Sequence, residues 1–240
     1  MTGNVYHQGF QYNYENKMNF IASTLAIVSK DVHSELRTRY AMNALLMFVV
    51  ISVTTILFAL REDEVSTDVF SGMFWVVIFF TAMSGLSRIF VSEEERGTTM
   101  TLQLVASPSI VYLGKLIFNC GLTIALSMAV TVLYLVVFPA FIIKSWAIFL
   151  LTIFLGSLGF AAAATIIAAI IAKANTKGTL YPVLSFPILI PLLMTVMKST
   201  ARALDGEMFT AALGEFQILA SYLLIMVAGS YLLFDYVWKE

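Results

Sequence analysis

The chain has 240 residues, of which 60% are hydrophobic and 12% charged, with a formal net charge of −1. Soluble domains carry about 25% charged residues, so this chain cannot cover itself with a polar surface and reads as a membrane protein. The near-neutral balance argues against nucleic acid as a partner, and one cysteine, Cys120, excludes an internal disulfide and a multi-cysteine metal cluster.

Residues 1–19 are polar and aromatic, with no apolar core behind a basic start. They read as a loosely ordered tail and not as a signal peptide. In residues 20–39, Ile21, Leu25, Val28, Val32 and Leu36 recur at helical spacing, while Lys30, Asp31, Glu35 and Arg37 fall elsewhere. This pattern predicts an amphipathic helix lying on a membrane face.

Residues 40–240 read as a six-span domain. A bilayer core about 30 Å thick needs roughly 20 apolar residues per helix. Tyr40–Leu60, Phe70–Ile89, Val111–Phe138, Trp146–Ala172, Leu180–Met197 and Phe216–Trp238 all qualify. None shows the short alternation of barrel strands, so the fold class is an all-α polytopic membrane protein.

With the N-terminus inside, the inner segments hold Lys17, Lys30, Arg37, Arg39, Arg88, Arg96, Lys115, Lys173, Lys177 and Lys239. The outer ones hold only Arg61, Lys144, Lys198 and Arg202. This bias predicts both termini in the cytoplasm. Arg88 and Lys115 lie near cytoplasmic span ends and are expected to snorkel to the surface.

Between the second and third spans lies Ser92–Lys115, SEEERGTTMTLQLVASPSIVYLGK. Glu93, Glu94, Glu95 and Arg96 follow the span directly. Gly97 can break the helix, and Thr98 is a candidate cap for the next one. Met100, Leu102, Leu104 and Val105 make a short helix with apolar residues on it. Ser107 and Pro108 signal another start, with Ser107 as cap and proline at the first helical position. The segment reads either as a plain interfacial joint with a solvated acidic face or as a compact docking element.

In the fourth span, Ser157, Ala161, Thr165 and Ala169 repeat every fourth residue beside Gly156 and Gly159. Such a face lets helix backbones approach closely, against this chain or a second subunit. In the fifth, Pro182, Pro187 and Pro191 each remove a backbone donor, which predicts a kinked or broken helix and a candidate hinge. Asp205-Gly206 signals a turn, and Met208, Ala211, Ala212 and Phe216 suggest a short helix after it. Trp146, Tyr181, Tyr236 and Trp238 sit near span ends and read as interfacial anchors.

Catalytic patterns are missing. The sequence has no G-x-x-x-x-G-K-[ST], H-E-x-x-H or G-x-S-x-G. His7 and His33 both precede the first span, and the spans place no acidic residue at mid-depth as ion coupling would require. Energy for transport would therefore come from outside the chain.

The run Glu95-Arg96-Gly97-Thr98, then Ser107-Pro108 and Gly114-Lys115, resembles the permeases of ABC-2 type transporters. Within that group, further motifs resemble the CcmB family, haem exporter protein B of cytochrome c maturation. They are Leu104–Pro108, GSLGF at Gly156–Phe160, Lys173-Ala174-Asn175, LSFPILIPLL at Leu184–Leu193, Ala203–Gly206 and YLLFDYVW at Tyr231–Trp238. The run Thr98-Thr99-Met100-Thr101 departs from the ABC-2 pattern, which often has a Glu soon after Gly-Thr.

The resemblance implies a non-enzymatic permease subunit in a bacterial inner membrane, coupled to a separate cytoplasmic ABC ATPase that binds the ATP. It also implies haem-handling membrane partners, and pairing with a second permease copy or another membrane subunit. No cofactor is expected on this chain, and haem would be handled by the complex. Glu94, Glu95, Arg96, Gly97, Thr98, Leu102, Leu104, Ser107 and Pro108 become candidate ATPase-coupling residues, and the short helix a cytoplasmic coupling helix. The alternatives are an ABC-2 permease for a lipid, polysaccharide or drug, and an ATP-independent scaffold or secondary carrier.

Overall fold

The computed structural model describes residues 3–37, 39–60, 65–95, 97–172 and 180–239, with side chains from residue 20 onward apart from 39–41, 88, 92, 180–184 and 239. Regular structure among these residues is helical throughout: α1 (Gly3–Arg37), α2 (Arg39–Leu60), α3 (Thr67–Leu86), α4 (Arg88–Glu95), α5 (Thr99–Val105), α6 (Pro108–Val137), α7 (Trp146–Ala172), α8 (Leu180–Asp205), a 3₁₀ turn (Phe209–Ala212) and α9 (Leu213–Lys239). Six stretches are long and apolar enough to cross a bilayer: Met42–Leu60, Thr67–Glu95, Pro108–Val137, Trp146–Ala172, Ser185–Asp205 and Phe209–Trp238. The chain is a multi-pass membrane protein.

The expected tail and the amphipathic stretch share the single helix α1, so the backbone does not divide at residue 19. The second span runs beyond its expected end at Ile89. Ser87 between α3 and α4 keeps right-handed helical angles, so the axis continues nearly unbroken to Glu95. α3 starts where Ser66 caps it, its hydroxyl accepting from the Val69 N–H at 3.4 Å.

α7 forms the centre. Of its most apolar stretch 78% is buried inside the protein, against 17% for α2 and for α9, which leaves those two on the periphery. The small residues explain this. A Cβ on Gly156 would meet the Trp75 ring of α3 at 2.7 Å, and one on Gly159 would meet Leu192 of α8 at 2.8 Å. The Ser157–Ala169 face serves this chain itself. Ser157 shares a hydrogen bond with Ser127 of α6 at 3.0 Å, and Thr165 accepts from Asn119 of α6 at 2.8 Å. Trp75 donates to Thr200 of α8 at 2.7 Å. Each such buried bond contributes about 1 kcal/mol in lipid.

α8 is one helix through Pro187 and Pro191, so of the kinked or broken helix that the sequence predicts the break does not occur. One residue past Pro187, the Ile188 carbonyl accepts from Tyr222 of α9 at 3.0 Å, which pins the proline-bearing stretch to its neighbour. Gly206 ends α8 with φ +81°, and both its own N–H and that of Glu207 return to the Arg202 carbonyl at 3.1 Å. This is the turn that Asp205-Gly206 signalled. The short helix expected at 208–216 is only a 3₁₀ turn, because α9 takes over at Leu213. At this end the loop after α6 closes over the bundle, with Phe138 and Phe141 packed on Phe70, Phe74 and Tyr134, and the Ser145 N–H bonded to the Ala203 carbonyl at 2.9 Å.

Candidate functional site

The opposite end of the bundle carries the segment between the second and third spans. Gly97 sits at φ +66°, which a side chain would strain. Its N–H reaches the Glu94 carbonyl at 3.1 Å, and the Thr98 N–H reaches that of Glu93 at 3.0 Å. This closure ends α4 and turns the chain into α5. After α5, Pro108 opens α6 at its first position, and the Ile110 and Val111 N–H groups bond to the Ser107 carbonyl. Neither expected side-chain cap forms. The Ser107 hydroxyl makes no cap bond, and the Thr98 hydroxyl donates to Glu93 Oε2 at 2.5 Å while its backbone holds helical angles, φ −89° and ψ −8°, and not the extended ones of a typical N-cap.

α5 has two unlike faces. Thr99 is buried, and Leu102 packs against the core. Met100, Leu104 and Val105 point away from the protein and are 78%, 88% and 80% exposed. Leu102 and Leu104, expected to act together, therefore belong to opposite faces. Glu94 is half-buried, while Glu95, Gly97, Thr98 and Ser107 are exposed and Pro108 is half-buried. Arg96 lies outside the described residues. Pro182 lies in the first turn of α8, and Pro187 and Pro191 lie inside that helix, so the candidate hinge is not part of this site.

The inner face of α5 rests on the end of α9. Gln103 donates to the Trp238 carbonyl at 2.6 Å. Trp238 is only 5% exposed, stacked on Phe234 at 5.4 Å and edge-on to Phe90 at 6.0 Å. It was expected as an interfacial anchor, and it instead closes an aromatic clasp with Tyr112 and Phe234 of α6 and α9.

Beside the clasp lies a buried ionic cluster. Lys115 of α6 is 1% exposed and does not snorkel. Its ammonium donates to Asp31 of α1 at 3.1 Å, to Glu93 of α4 at 2.9 Å and to the Ile89 carbonyl at 3.3 Å. A lysine has three donors, and here each has an acceptor. Lys30 adds a second ion pair to Glu93 and lies 3.3 Å from Asp31. Burial opposes the Lys30 charge, but its hydrogen bond to Glu93 and the fields of Asp31 and Glu93 outweigh that and raise its pKa. Gly114 makes the arrangement possible. A Cβ there would meet Ile27 of α1 at 2.7 Å, so glycine lets α1 lie against α6 at the level where Asp31 faces Lys115.

Sequence reasoning missed Lys115, Asp31, Lys30 and the burial of Glu93. Two signals were present. Lys115 lies seven residues into α6, about 10 Å past its start, too deep for a surface lysine without a partner. Asp31 recurs with Thr24 and Ile27 at helical spacing, and these three form the buried stripe of α1. The apolar residues Ile21, Leu25, Val32 and Leu36 lie about a third of a turn away and are exposed.

The sequence profile of the CcmB protein family matches residues 22–233. The chain belongs to the CcmB family. The matched region takes in the buried stripe of α1, all of α4, α5 and α6, and the whole of α7 and α8, and it stops before Phe234 and Trp238 of the clasp. CcmB proteins are membrane permease subunits of the cytochrome c maturation haem exporter and are not themselves catalytic. Membership implies partnership with the CcmA ATPase. A comparison with curated proteins gives no match.

Proposed function

We propose that this CcmB chain receives its ATPase on the outward face of α5, and that α5 is a cytoplasmic coupling helix. The observation that carries this is the exposure of Met100, Leu104 and Val105 on a seven-residue helix whose other face is fixed to the bundle. Three adjacent apolar side chains on a rigid mount suit a protein partner better than water. Glu94, Glu95, Gly97 and Thr98 flank that face on one side, Ser107 and Pro108 on the other, and Arg96 belongs to the same stretch of sequence. Leu102 supports it from behind.

The orientation that serves this reading has both termini in the cytoplasm of a bacterial inner membrane, as the lysine and arginine bias favours. The amphipathic part of α1 then lies on the cytoplasmic face behind the N-terminal part of the same helix. Haem is the cargo of the assembly, held by haem-handling membrane subunits, with no cofactor on this chain. Six spans are half of a usual permease pair, so a second copy or another membrane subunit completes it. Pro182, Pro187 and Pro191 make α8 the helix that bends as the pair moves.

Co-purification tests the coupling face. Leu104→Glu with Val105→Glu is expected to abolish recovery of the ATPase with the tagged permease, while thermal stability stays near wild type. Full recovery of the ATPase with that variant would remove α5 as the docking helix.

A further inference from the structure

We propose that Lys115 is a positioning residue that ties α1 to the α4–α5 turn, so that a push on α5 moves α1 with it. The inference rests on α5 being the face that the ATPase pushes.

Three elements far apart in the chain converge on one ammonium. Asp31 lies 84 residues from Lys115 and Glu93 lies 22 away. Glu93 is in turn held by Thr98, the residue immediately before α5, through its hydroxyl at 2.5 Å. A continuous polar chain therefore runs from the foot of α5 through Glu93 and Lys115 to Asp31 of α1. Lys30 closes it into a ring by pairing with Glu93 directly.

Such a ring is a poor way to gain stability alone, since well-packed apolar groups of similar volume do as well or better. What it provides is a fixed distance and direction between helices. The contacts are short, and the core lysine is 1% exposed, so salt screens them little. Apolar contacts between α1 and α6 allow sliding, and the ionic contacts do not. Gly114 removes the side chain that would hold the two helices apart.

The other end of the linkage is free to respond. α1 buries Thr24, Ile27 and Asp31, and it exposes Ile21, Leu25, Val32 and Leu36 away from the bundle. A helix that lies along a bilayer surface with its apolar stripe in lipid can tilt without leaving that surface. α5 has a second mount, the Gln103–Trp238 clasp, which reaches α9 and not α1. The lysine cluster is thus a polar route from α5 to α1.

The test uses the complete complex with its ATPase in nanodiscs. A fluorophore is placed on Leu36→Cys in a Cys120→Ser background, and its emission is read with and without ATP and vanadate. The network variant combines Lys115→Met, Asp31→Asn and Glu93→Gln, which removes the charges together and leaves no lone buried ion. With the ATPase still co-purifying, its nucleotide-dependent change is expected to fall by about fivefold or more, as loss of a coupling free energy does. Thr98→Val, a milder variant, is expected to show a smaller loss in the same direction.

A network variant that keeps the full change would overturn the proposal, and so would a native complex whose Leu36 reporter ignores nucleotide. If the network variant fails to fold, the decision passes to Thr98→Val, and an unchanged signal there counts against the linkage. Docking is read separately. If Leu104→Glu with Val105→Glu still binds the ATPase, the α5 reading fails whatever the reporter shows.

Discussion

Charged residues gather at both ends of the bundle, and the two gatherings differ in depth. At the α5 end, Lys115 is 1% exposed and joins α1, α4 and α6. At the Gly206 end, Arg202 pairs with Glu207 and with Glu215 at 3.3 Å, and Lys198 pairs with Glu215 at 3.2 Å. The Lys198 side chain is 65% exposed. The first cluster holds three helices in a set relation around a lysine that water does not reach, with Lys30 alone of its members open to solvent. The second fastens the end of α8 to the start of α9, where the carboxylate of Glu215 is buried but its cations Lys198 and Arg202 reach the surface, so water can stand in for either of them. The same ion-pair chemistry acts as a joint in one place and as a rim in the other.

The sharpest way to break that contrast is at the buried lysine. Lys115→Met alone leaves Asp31 and Glu93 facing each other, with Lys30 the one cation beside them among the described residues. Breaking a buried pair from one side costs about 3–5 kcal/mol. Unfolding in mixed micelles should show a loss of that size. A loss under about 1 kcal/mol, the range of an exposed pair, would place this cluster in the same class as the one at the Gly206 end.

A smaller effect is expected from Gly114→Val. The added side chain would meet Ile27 and force α1 outward, at a cost of about 1–3 kcal/mol for overpacking. Accessibility of a cysteine at Thr24, buried on the same stripe, to a soluble thiol reagent should rise as α1 lifts. If the seam is the element that aligns Asp31 with Lys115, adding Lys115→Met to Gly114→Val should cost less than the two single effects summed. Strict additivity would separate the seam from the cluster.

The sequence made the span positions plain, because apolar runs of membrane length leave little choice. It also marked the α5 segment, since Gly97 and Ser107-Pro108 act through local backbone geometry. The small face of α7 was visible for the same reason, though its partners were not. The ionic cluster was hidden because its members are distant in the chain and each has an ordinary local explanation. A lysine after a Gly near a span end suggests snorkelling, and three consecutive acids suggest a solvated face. Only packing shows that Glu93 turns inward while Glu95 stays exposed. Trp238 was misplaced in the same way, since an aromatic near a span end fits an anchor until Gln103 and Phe90 are found against it.

The smallest expected effect lies at the other end. Lys198→Gln removes one exposed partner of Glu215 and leaves Arg202 to hold that carboxylate. An exposed pair contributes about 0–1 kcal/mol, so the loss should fall within that range. It should also shrink as salt rises, because the Debye length falls from about 10 Å at 0.1 M to about 3 Å at 1 M. The loss in Lys115→Met should hardly change over the same salt range, since its ions are shielded from solvent. Matching salt dependences in the two variants would mean that water reaches the inner cluster as freely as the rim, and the distinction between joint and rim would fall.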